Sequence, residues 1–255
     1  MRSFELRPFG MGFVTEVRES LLSKLGFRFG INGPHAARTM MLDDLRVLFS
    51  HTSPDAQRAD FVRAVVSENV LGKPTKNARE LALHHLIALY GLKPENPIYR
   101  ALRRLWDANP MAQPLLALSV ALARDPLLRG TMPFYLSKQA GEMVSRESVE
   151  DLLSRSHPDR FSPASLRSFA QNVSGTWTAA GFLQGRTRKI KVIPEIFPEA
   201  VAMLLFLGYL EGRTAQRLFS SDWTSLTGLP TETLEVLANS ASHRGLLVFM
   251  NAGGV

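Results

Sequence analysis

The most evident chemical feature of this sequence is a stretch in which positive charge is concentrated. Six basic residues and no acidic residue lie within 160–193, in a chain of 255 residues with a net charge of +7. A local field of one sign attracts polyanions, of which nucleic acid is the most common inside cells. A solvated basic face is the alternative explanation. The six residues are Arg160, Arg167, Arg186, Arg188, Lys189 and Lys191.

The other residue types that do chemistry show no spacing typical of catalysis or metal binding. The chain has no cysteine, which excludes disulfides, thiolate ligands and a cysteine nucleophile. Its six histidines are scattered. The adjacent His84 and His85 would point about 100° apart on a helix and do not form a metal-binding pair. There is no P-loop, dinucleotide-binding glycine pattern or nucleophile elbow. We therefore predict a protein that is not an enzyme and uses no cofactor or metal.

A helix starting near Ser162 would position two of the basic-stretch residues. Ser162 followed by Pro163 predicts a helix N-terminus, because serine caps the first turn and proline is tolerated there. An apolar stripe with steps of three and four then predicts one buried face that ends before Gly181. Arg167 and Gln171 fall on the other faces, where they suit phosphate and base-edge contacts. The stripe comprises Leu166, Phe169, Ala170, Val173, Trp177 and Ala180.

A basic arm follows this helix. Gln184-Gly185 predicts a tight turn, and residues 186–193 alternate like a strand with a basic surface. A short helix over 146–155, a turn, the second helix and this arm follow the order of a winged helix-turn-helix. Four phosphate contacts from the arm would give a salt dependence with a slope of about −3 to −4. This is an upper limit, because alternate residues of a strand face opposite ways. The four expected contacts are Arg186, Arg188, Lys189 and Lys191.

The rest of the chain is predicted to be mainly helical. Apolar spacing favours one helix over 34–50 and several more before residue 140. In the YRALRRLW segment, Arg100, Arg103 and Arg104 could extend the basic surface or form a solvated helix face. Near the C-terminus, a helix from Thr231 ends at Gly245, and Leu246–Met250 is a predicted strand.

The fold class is therefore mainly α, with three units. We predict a helical N-terminal domain over 1–140, a winged helix-turn-helix-like unit over 141–194, and a C-terminal helical unit with a terminal strand over 195–255. The two longest apolar runs, Pro114–Ala123 and Val201–Leu207, are shorter than the roughly 20 residues needed to span a bilayer. The first residues also lack the pattern of a secretory signal. We predict a cytoplasmic protein with no membrane partner.

Two segments of the chain resemble a known family. RFSPASLRSFAQNVSGTWTAAGFLQGRTRKIKV and PEAVAMLLFLGYLEG, behind a helical front half, resemble the BrxA proteins of the BREX phage-defence systems. The resemblance implies a small, largely helical protein with helix-turn-helix or winged-helix elements that binds DNA without being an enzyme. It also implies an accessory role beside the methyltransferase and the other large components of such a system. The front portion of that family is likened to an RNA-binding antitermination factor.

Two alternatives to double-stranded DNA stay open from the sequence. A protein–protein scaffold within a defence complex would use the C-terminal part, which carries six acidic and three basic residues over 194–255. The predicted strand Leu246–Met250 would then be a docking edge. An RNA-binding protein would use the helical front half. Steep weakening by salt would favour nucleic acid over a mainly apolar protein interface.

Overall fold

The structure is a computed structural model that describes residues 16–249, and it is mainly helical, as predicted. Residues 1–15 of the expected N-terminal domain, with the segment considered for a secretory signal, lie outside the described residues. The helices are α1 (Glu16–Lys24), α2 (Leu42–Ser50), α3 (Arg58–Val62), α4 (Lys76–Tyr90), α5 (Pro97–Trp106), α6 (Gln113–Arg124), α7 (Pro126–Arg129), α8 (Met132–Leu136), α9 (Arg146–Ser156), α10 (Pro163–Ala179), α11 (Pro198–Leu210), α12 (Asp222–Ser225) and α13 (Thr231–His243). Single turns of 3₁₀ or π helix occupy Pro34–Ala36, Arg63–Ser67, Pro110–Ala112 and Ala215–Leu218.

A small antiparallel sheet accompanies α9 and α10. Its strands are β1 (Met143–Val144), β2 (Leu183–Gln184) and β3 (Lys189–Lys191), in the spatial order β1-β3-β2. Ile190 is opposite Met143 on one side and Gln184 on the other. The strand before the helix pair therefore lies beside the last strand, and β2 and β3 form a hairpin.

Helix α6 is the centre of the fold. Its sequence QPLLALSVALAR is apolar almost all round, and residues 115–124 are all buried. A helix of this kind must be surrounded by other elements, and α4, α5, α10 and α11 pack against it. Within residues 16–249, every helix falls short of the length and apolarity that crossing a membrane requires.

One hydrophobic core runs through all three predicted units. Leu118 of α6, Trp177 of α10 and Leu204 of α11 belong to the same buried cluster. A smaller cluster joins α11 to α13 through Val201 and Leu234. The boundaries near residues 140 and 194 stay predictions, and the units on either side of them are packed together.

The helix predicted over 34–50 is interrupted, and the reason is long-range hydrogen bonding. The 3₁₀ turn ends at Ala36, and α2 begins only at Leu42, after Met41 with a left-handed φ of 51°. The Met40 N–H donates to Thr176 Oγ1 at 2.8 Å, and the Tyr90 hydroxyl donates to the Met40 carbonyl. Because both backbone groups of Met40 bond to distant residues, this segment does not continue as a helix.

The strand predicted over Leu246–Met250 is wrong for the residues that the structure describes. Residues 246–249 form a bend and irregular backbone, and Met250 lies outside the described range. The Leu246 N–H donates to the Ala241 carbonyl at 3.0 Å, and the Phe249 N–H donates to Ser242 Oγ at 3.1 Å. The segment therefore folds back on the end of α13 instead of pairing with a strand.

A buried hydrogen-bond network fixes α10 against the N-terminal half. His35 Nδ1 lies 2.8 Å from Asp125 Oδ2, and His35 Nε2 lies 2.8 Å from Thr176 Oγ1. All three residues are 0% exposed. Asp125 also accepts from the N–H groups of Leu127 and Leu128, and so caps α7. The network therefore joins the 3₁₀ turn, the corner between α6 and α7, and the middle of α10.

Replacing Thr176 with valine tests the importance of this network. The Thr176→Val substitution keeps the shape of the side chain but leaves the Met40 N–H and one His35 ring nitrogen buried without a partner. We expect the free energy of unfolding to fall by about 2–4 kcal/mol in urea denaturation. The matched control is Thr233→Val on the exposed face of α13, which should change it by less than about 0.5 kcal/mol. Equal effects of the two substitutions would contradict this role.

Candidate nucleic-acid interface

Local capping signals place α9 and α10 where the sequence predicts them. Ser145 Oγ accepts from the Ser148 N–H at 3.1 Å, and Ser162 Oγ accepts from the Ser165 N–H at 3.2 Å. Pro163 occupies the first turn of α10, where its missing N–H leaves no intrahelical bond unmade. The predicted starts of both helices are confirmed.

The buried face of α10 fixes the orientation of its exposed face. Trp177 stacks on Tyr135 with a ring-centroid distance of 4.7 Å and meets Phe182 edge-on at 5.0 Å. Phe169 and Val173 are 0% exposed. The apolar stripe predicted from the sequence is therefore buried, and the helix cannot rotate without exposing its aromatic residues.

Arg167 and Gln171 lie on the exposed face of α10, as predicted. They are four residues apart, and Thr178 follows seven residues after Gln171. On an α-helix these positions fall close to one line, and the line is about 16 Å long. Lys189 Nζ donates to Thr178 Oγ1 at 2.7 Å. The exposed line on α10 therefore leads from Arg167 to the base of the β2–β3 hairpin.

The tip of the hairpin, residues 185–188, carries two exposed arginines, Arg186 and Arg188. The predicted turn at Gln184-Gly185 is confirmed, and Gly185 has a φ of +102°. A Cβ at Gly185 would lie 2.0 Å from the Arg188 carbonyl oxygen, so only glycine allows this close turn. Neither arginine forms an ion pair with a carboxylate within residues 16–249.

Lys191 is placed differently from the sequence expectation. Its side chain is buried, with 7% of the residue exposed, and Nζ lies 4.6 Å from the centroid of the Phe182 ring. Burial lowers the pKa of the Lys191 amine. Its long aliphatic stem packs on the apolar interior while the amine stays over the aromatic face. In this conformation Lys191 is not available for a phosphate.

Lys189 has an intermediate position. It is half-buried and bonded to Thr178, and burial lowers the pKa of its amine. Lys189 and Lys191 share one side of β3, so Ile190 points to the other side and is 43% exposed beside Met143 at 59%. Of the six predicted contact residues, four are therefore exposed: Arg167, Gln171, Arg186 and Arg188.

Two carboxylates, one directly before β1 and one on α9, are already paired with cations. Glu142 precedes β1, and its carboxylate lies 2.6 Å from Lys138 Nζ. Hydrogen bonds from Lys138 and from the Gln139 N–H lower the pKa of Glu142. Glu150 of α9 pairs with Arg146 at 2.9 Å. Neither carboxylate pairs with Arg186 or Arg188, and the charge of these tip arginines favours an anionic ligand.

Arg38 is a cation beside α10 that the sequence pattern missed. The Asn172 side chain donates to the His35 carbonyl at 3.2 Å, which holds the segment after His35 against α10. Arg38 is exposed and lines a groove of about 630 Å³ together with Gly175 and Ala179 of α10. The sequence analysis missed Arg38 because it predicted one continuous helix over 34–50, whereas Arg38 lies between the 3₁₀ turn and α2.

Arg103 does not extend the basic surface. It is 4% exposed, its guanidinium lies 4.1 Å from the centroid of the Phe49 ring, and it donates to the Thr52 carbonyl. Burial lowers its pKa. Its neighbours Arg100 and Arg104 are exposed, and Arg104 donates to the Gly245 carbonyl at 3.0 Å.

The His35, Asp125 and Thr176 network has the residue types of a nucleophile–base–acid triad, but its geometry is that of a closed structural network. All three residues are fully buried. Thr176 Oγ1, the atom that would act as nucleophile, already accepts the Met40 N–H. Elsewhere in residues 16–249, no three histidines or carboxylates come together in a way that could hold a metal ion.

No protein-family model matches the chain, and no curated protein matches it. Conclusions about function therefore depend on the residues themselves. The exposed face of α10 and the hairpin tip form the candidate interface, which comprises Arg167, Gln171, Arg186 and Arg188, with Arg38 beside them.

Amine labelling tests the different environments of the lysines. We expect an amine-reactive ester to modify the exposed Lys93 readily in the native protein and to modify Lys191 only after unfolding. Mass spectrometry of peptides after a short labelling pulse measures both rates, and a pulse in urea provides the control. Equal native rates at Lys93 and Lys191 would show that Lys191 is accessible and would return it to the candidate interface.

Proposed function

We propose that this protein binds duplex DNA through a winged helix-turn-helix formed by residues 141–194. One observation carries the proposal. The chain runs β1, α9, α10, β2 and β3, with the sheet order β1-β3-β2, and exposed arginines occupy the hairpin tip. In this interpretation α10 is the recognition helix and the β2–β3 hairpin is the wing.

The two surfaces have different roles in this proposal. The N-terminal half of α10 enters the major groove, which is wide enough for a helix. Gln171 has the amide geometry that pairs with adenine, and Arg167 can reach guanine or a phosphate. Arg186 and Arg188 on the wing contact the backbone and contribute charge without reading the sequence. Arg38 adds a further phosphate contact at the side of the helix.

Duplex DNA is favoured over duplex RNA by the shape of the grooves. The major groove of an A-form RNA helix is deep and narrow, and side chains on a helix such as α10 cannot read it. A single-stranded ligand would need exposed aromatic platforms for base stacking. The largest aromatic residue on α10, Trp177, is 0% exposed. The exposed face of α10 therefore supports DNA as the ligand.

We further propose that the protein is a non-enzymatic accessory factor of a BREX-like phage-defence system. The support for this role is the resemblance of residues 160–192 and 198–212 to the BrxA family. The DNA-binding proposal rests on the exposed cations and the order of the elements, so it can be tested on the purified protein alone.

Fluorescence anisotropy with a random-sequence 30-base-pair duplex, in a salt series, tests the DNA-binding proposal. We expect binding that weakens steeply with salt. The double substitution Arg186→Ala/Arg188→Ala should weaken it by roughly tenfold or more and reduce the slope of log K against log salt by about 1.8, because two phosphate contacts are lost. Both arginines are exposed, so the variant should remain folded.

The matched control is Arg58→Ala/Lys93→Ala, which removes two exposed cations from the N-terminal half. It should bind DNA like the wild type. A loss in this variant, with none in the wing variant, would move the contact surface to the helical front half. Stronger binding to structured RNA than to the duplex would contradict the choice of DNA. Absence of salt-dependent binding would reject the proposal.

A further inference from the structure

Three buried hydrogen-bond donor atoms on α5 have no partner within residues 16–249. Arg103 donates from Nη2 to the Thr52 carbonyl oxygen at 3.1 Å, but its Nε and Nη1 atoms have no acceptor there. The hydroxyl of Tyr99 is also buried and unpartnered. Buried polar groups in folded proteins are nearly always hydrogen-bonded, so these three atoms indicate a bound species that accepts from them.

The position of these residues on α5 brings their donors together. Tyr99 and Arg103 are four residues apart, so their side chains lie on the same face of the helix. Both contact the ring of Phe49. Arg103 Cζ lies 4.1 Å from the centroid of that ring, and the Tyr99 ring meets it edge-on with a centroid distance of 6.1 Å. Burial raises the pKa of Tyr99 to about 12, so its hydroxyl keeps its proton at neutral pH and can donate.

The buried guanidinium also lacks a negatively charged partner. Arginine keeps its positive charge in proteins, and Arg103 forms no ion pair with a carboxylate within residues 16–249. The charges of Asp107 and Asp55 act on Arg103 and Tyr99, respectively, but both carboxylates are exposed to solvent. The face of the Phe49 ring offsets only part of the cost of burying a charge. A bound anion would supply both the missing charge and the missing acceptor.

We propose that a small inorganic anion, of the size of chloride, binds to Arg103 and Tyr99. It accepts from the Tyr99 hydroxyl and from a free N–H of the guanidinium. Water alone in this place would accept the same bonds but would leave the buried positive charge uncompensated. Arg103 is 4% exposed and Tyr99 is 0% exposed, so an anion with a bulky organic part could not contact both. This site does not depend on the DNA-binding proposal, and either inference can fail without the other.

A surface pocket adjoins the proposed anion site. The pocket has a volume of about 420 Å³, and Thr52, whose carbonyl oxygen accepts from Arg103, is one of its lining residues. Two carboxylates of the pocket, those of Asp60 and Glu68, pair with Arg63 at 2.8 and 3.7 Å, so their repulsion of an anion is partly offset. Thr52 therefore connects the pocket with the buried donors, and a small ion can approach them from this side.

Thermal unfolding of the full chain tests the proposal when sodium chloride replaces sodium gluconate at constant ionic strength. Constant ionic strength keeps the screening of surface charges the same. An anion that binds only the folded state stabilises it, so we expect the unfolding midpoint to rise and level off with chloride. The rise should be roughly 3–5 °C when chloride is about tenfold above its dissociation constant. Equal midpoints in the two salts would overturn the proposal.

Three substitutions on α5 locate the anion. Tyr99→Phe removes only the hydroxyl and should weaken chloride binding by about tenfold or more, because a hydrogen bond to a charged group is lost. Arg103→Met should abolish the chloride dependence, and if this variant does not fold, Tyr99→Phe decides alone. The matched control is Arg100→Met, which removes an exposed cation from the same helix and should respond to chloride like the wild type.

Chlorine NMR measures binding to the folded protein without unfolding it. Wild-type protein should broaden the chloride signal more than Tyr99→Phe does at the same concentration, since exchange with a protein site increases the linewidth. A chloride response of Tyr99→Phe equal to that of the wild type, in linewidth and in the unfolding midpoint, would place the ion elsewhere and reject the site.

Discussion

The position of α10, and with it the whole candidate interface, depends on the buried hydrogen bonds of His35. Burial alone raises the pKa of Asp125, but the hydrogen bonds that its carboxylate accepts from His35 and from the Leu128 N–H outweigh burial and hold that pKa below its usual value. The Asp125 carboxylate therefore accepts from His35 Nδ1. The Thr176 hydroxyl accepts the Met40 N–H and is left to donate its hydrogen to Nε2. Because a buried polar group without a partner costs about 1–3 kcal/mol, these elements can shift only together.

The residues that form this network explain why sequence analysis did not find it. His35 and Asp125 are 90 positions apart, and His35 and Thr176 are 141 apart. Capping and periodicity are local signals, and they predicted α9, α10 and the turn at Gly185 correctly. They failed for residues 37–41 and 246–249, where distant or side-chain partners take the backbone hydrogen bonds. Only the structure explains why residue 33 is glycine, since a Cβ there would lie 1.8 Å from Asp125 Oδ1.

Lys191 shows a second limit of sequence analysis. Alternation along a strand correctly separates residues into two faces, but it does not say which face is buried. The usual assumption places lysine outside and isoleucine inside, and at β3 the assumption is reversed. Phe182, three residues after the end of α10, offers an aromatic face to the Lys191 amine. This contact depends on how the hairpin folds back on α10, which no local pattern encodes.

Lys189 and Lys191 therefore contribute to the candidate interface by attaching the β2–β3 hairpin to α10. Strands of two and three residues are too short to make a rigid hairpin alone. The bond from Lys189 to Thr178 and the packing of Lys191 on Phe182 attach the hairpin to α10, which the His35 network attaches to the core. Arg186 and Arg188 are then presented from a fixed base. The hairpin therefore loses little chain entropy when a ligand contacts these arginines, whereas a free basic arm would have to become ordered first.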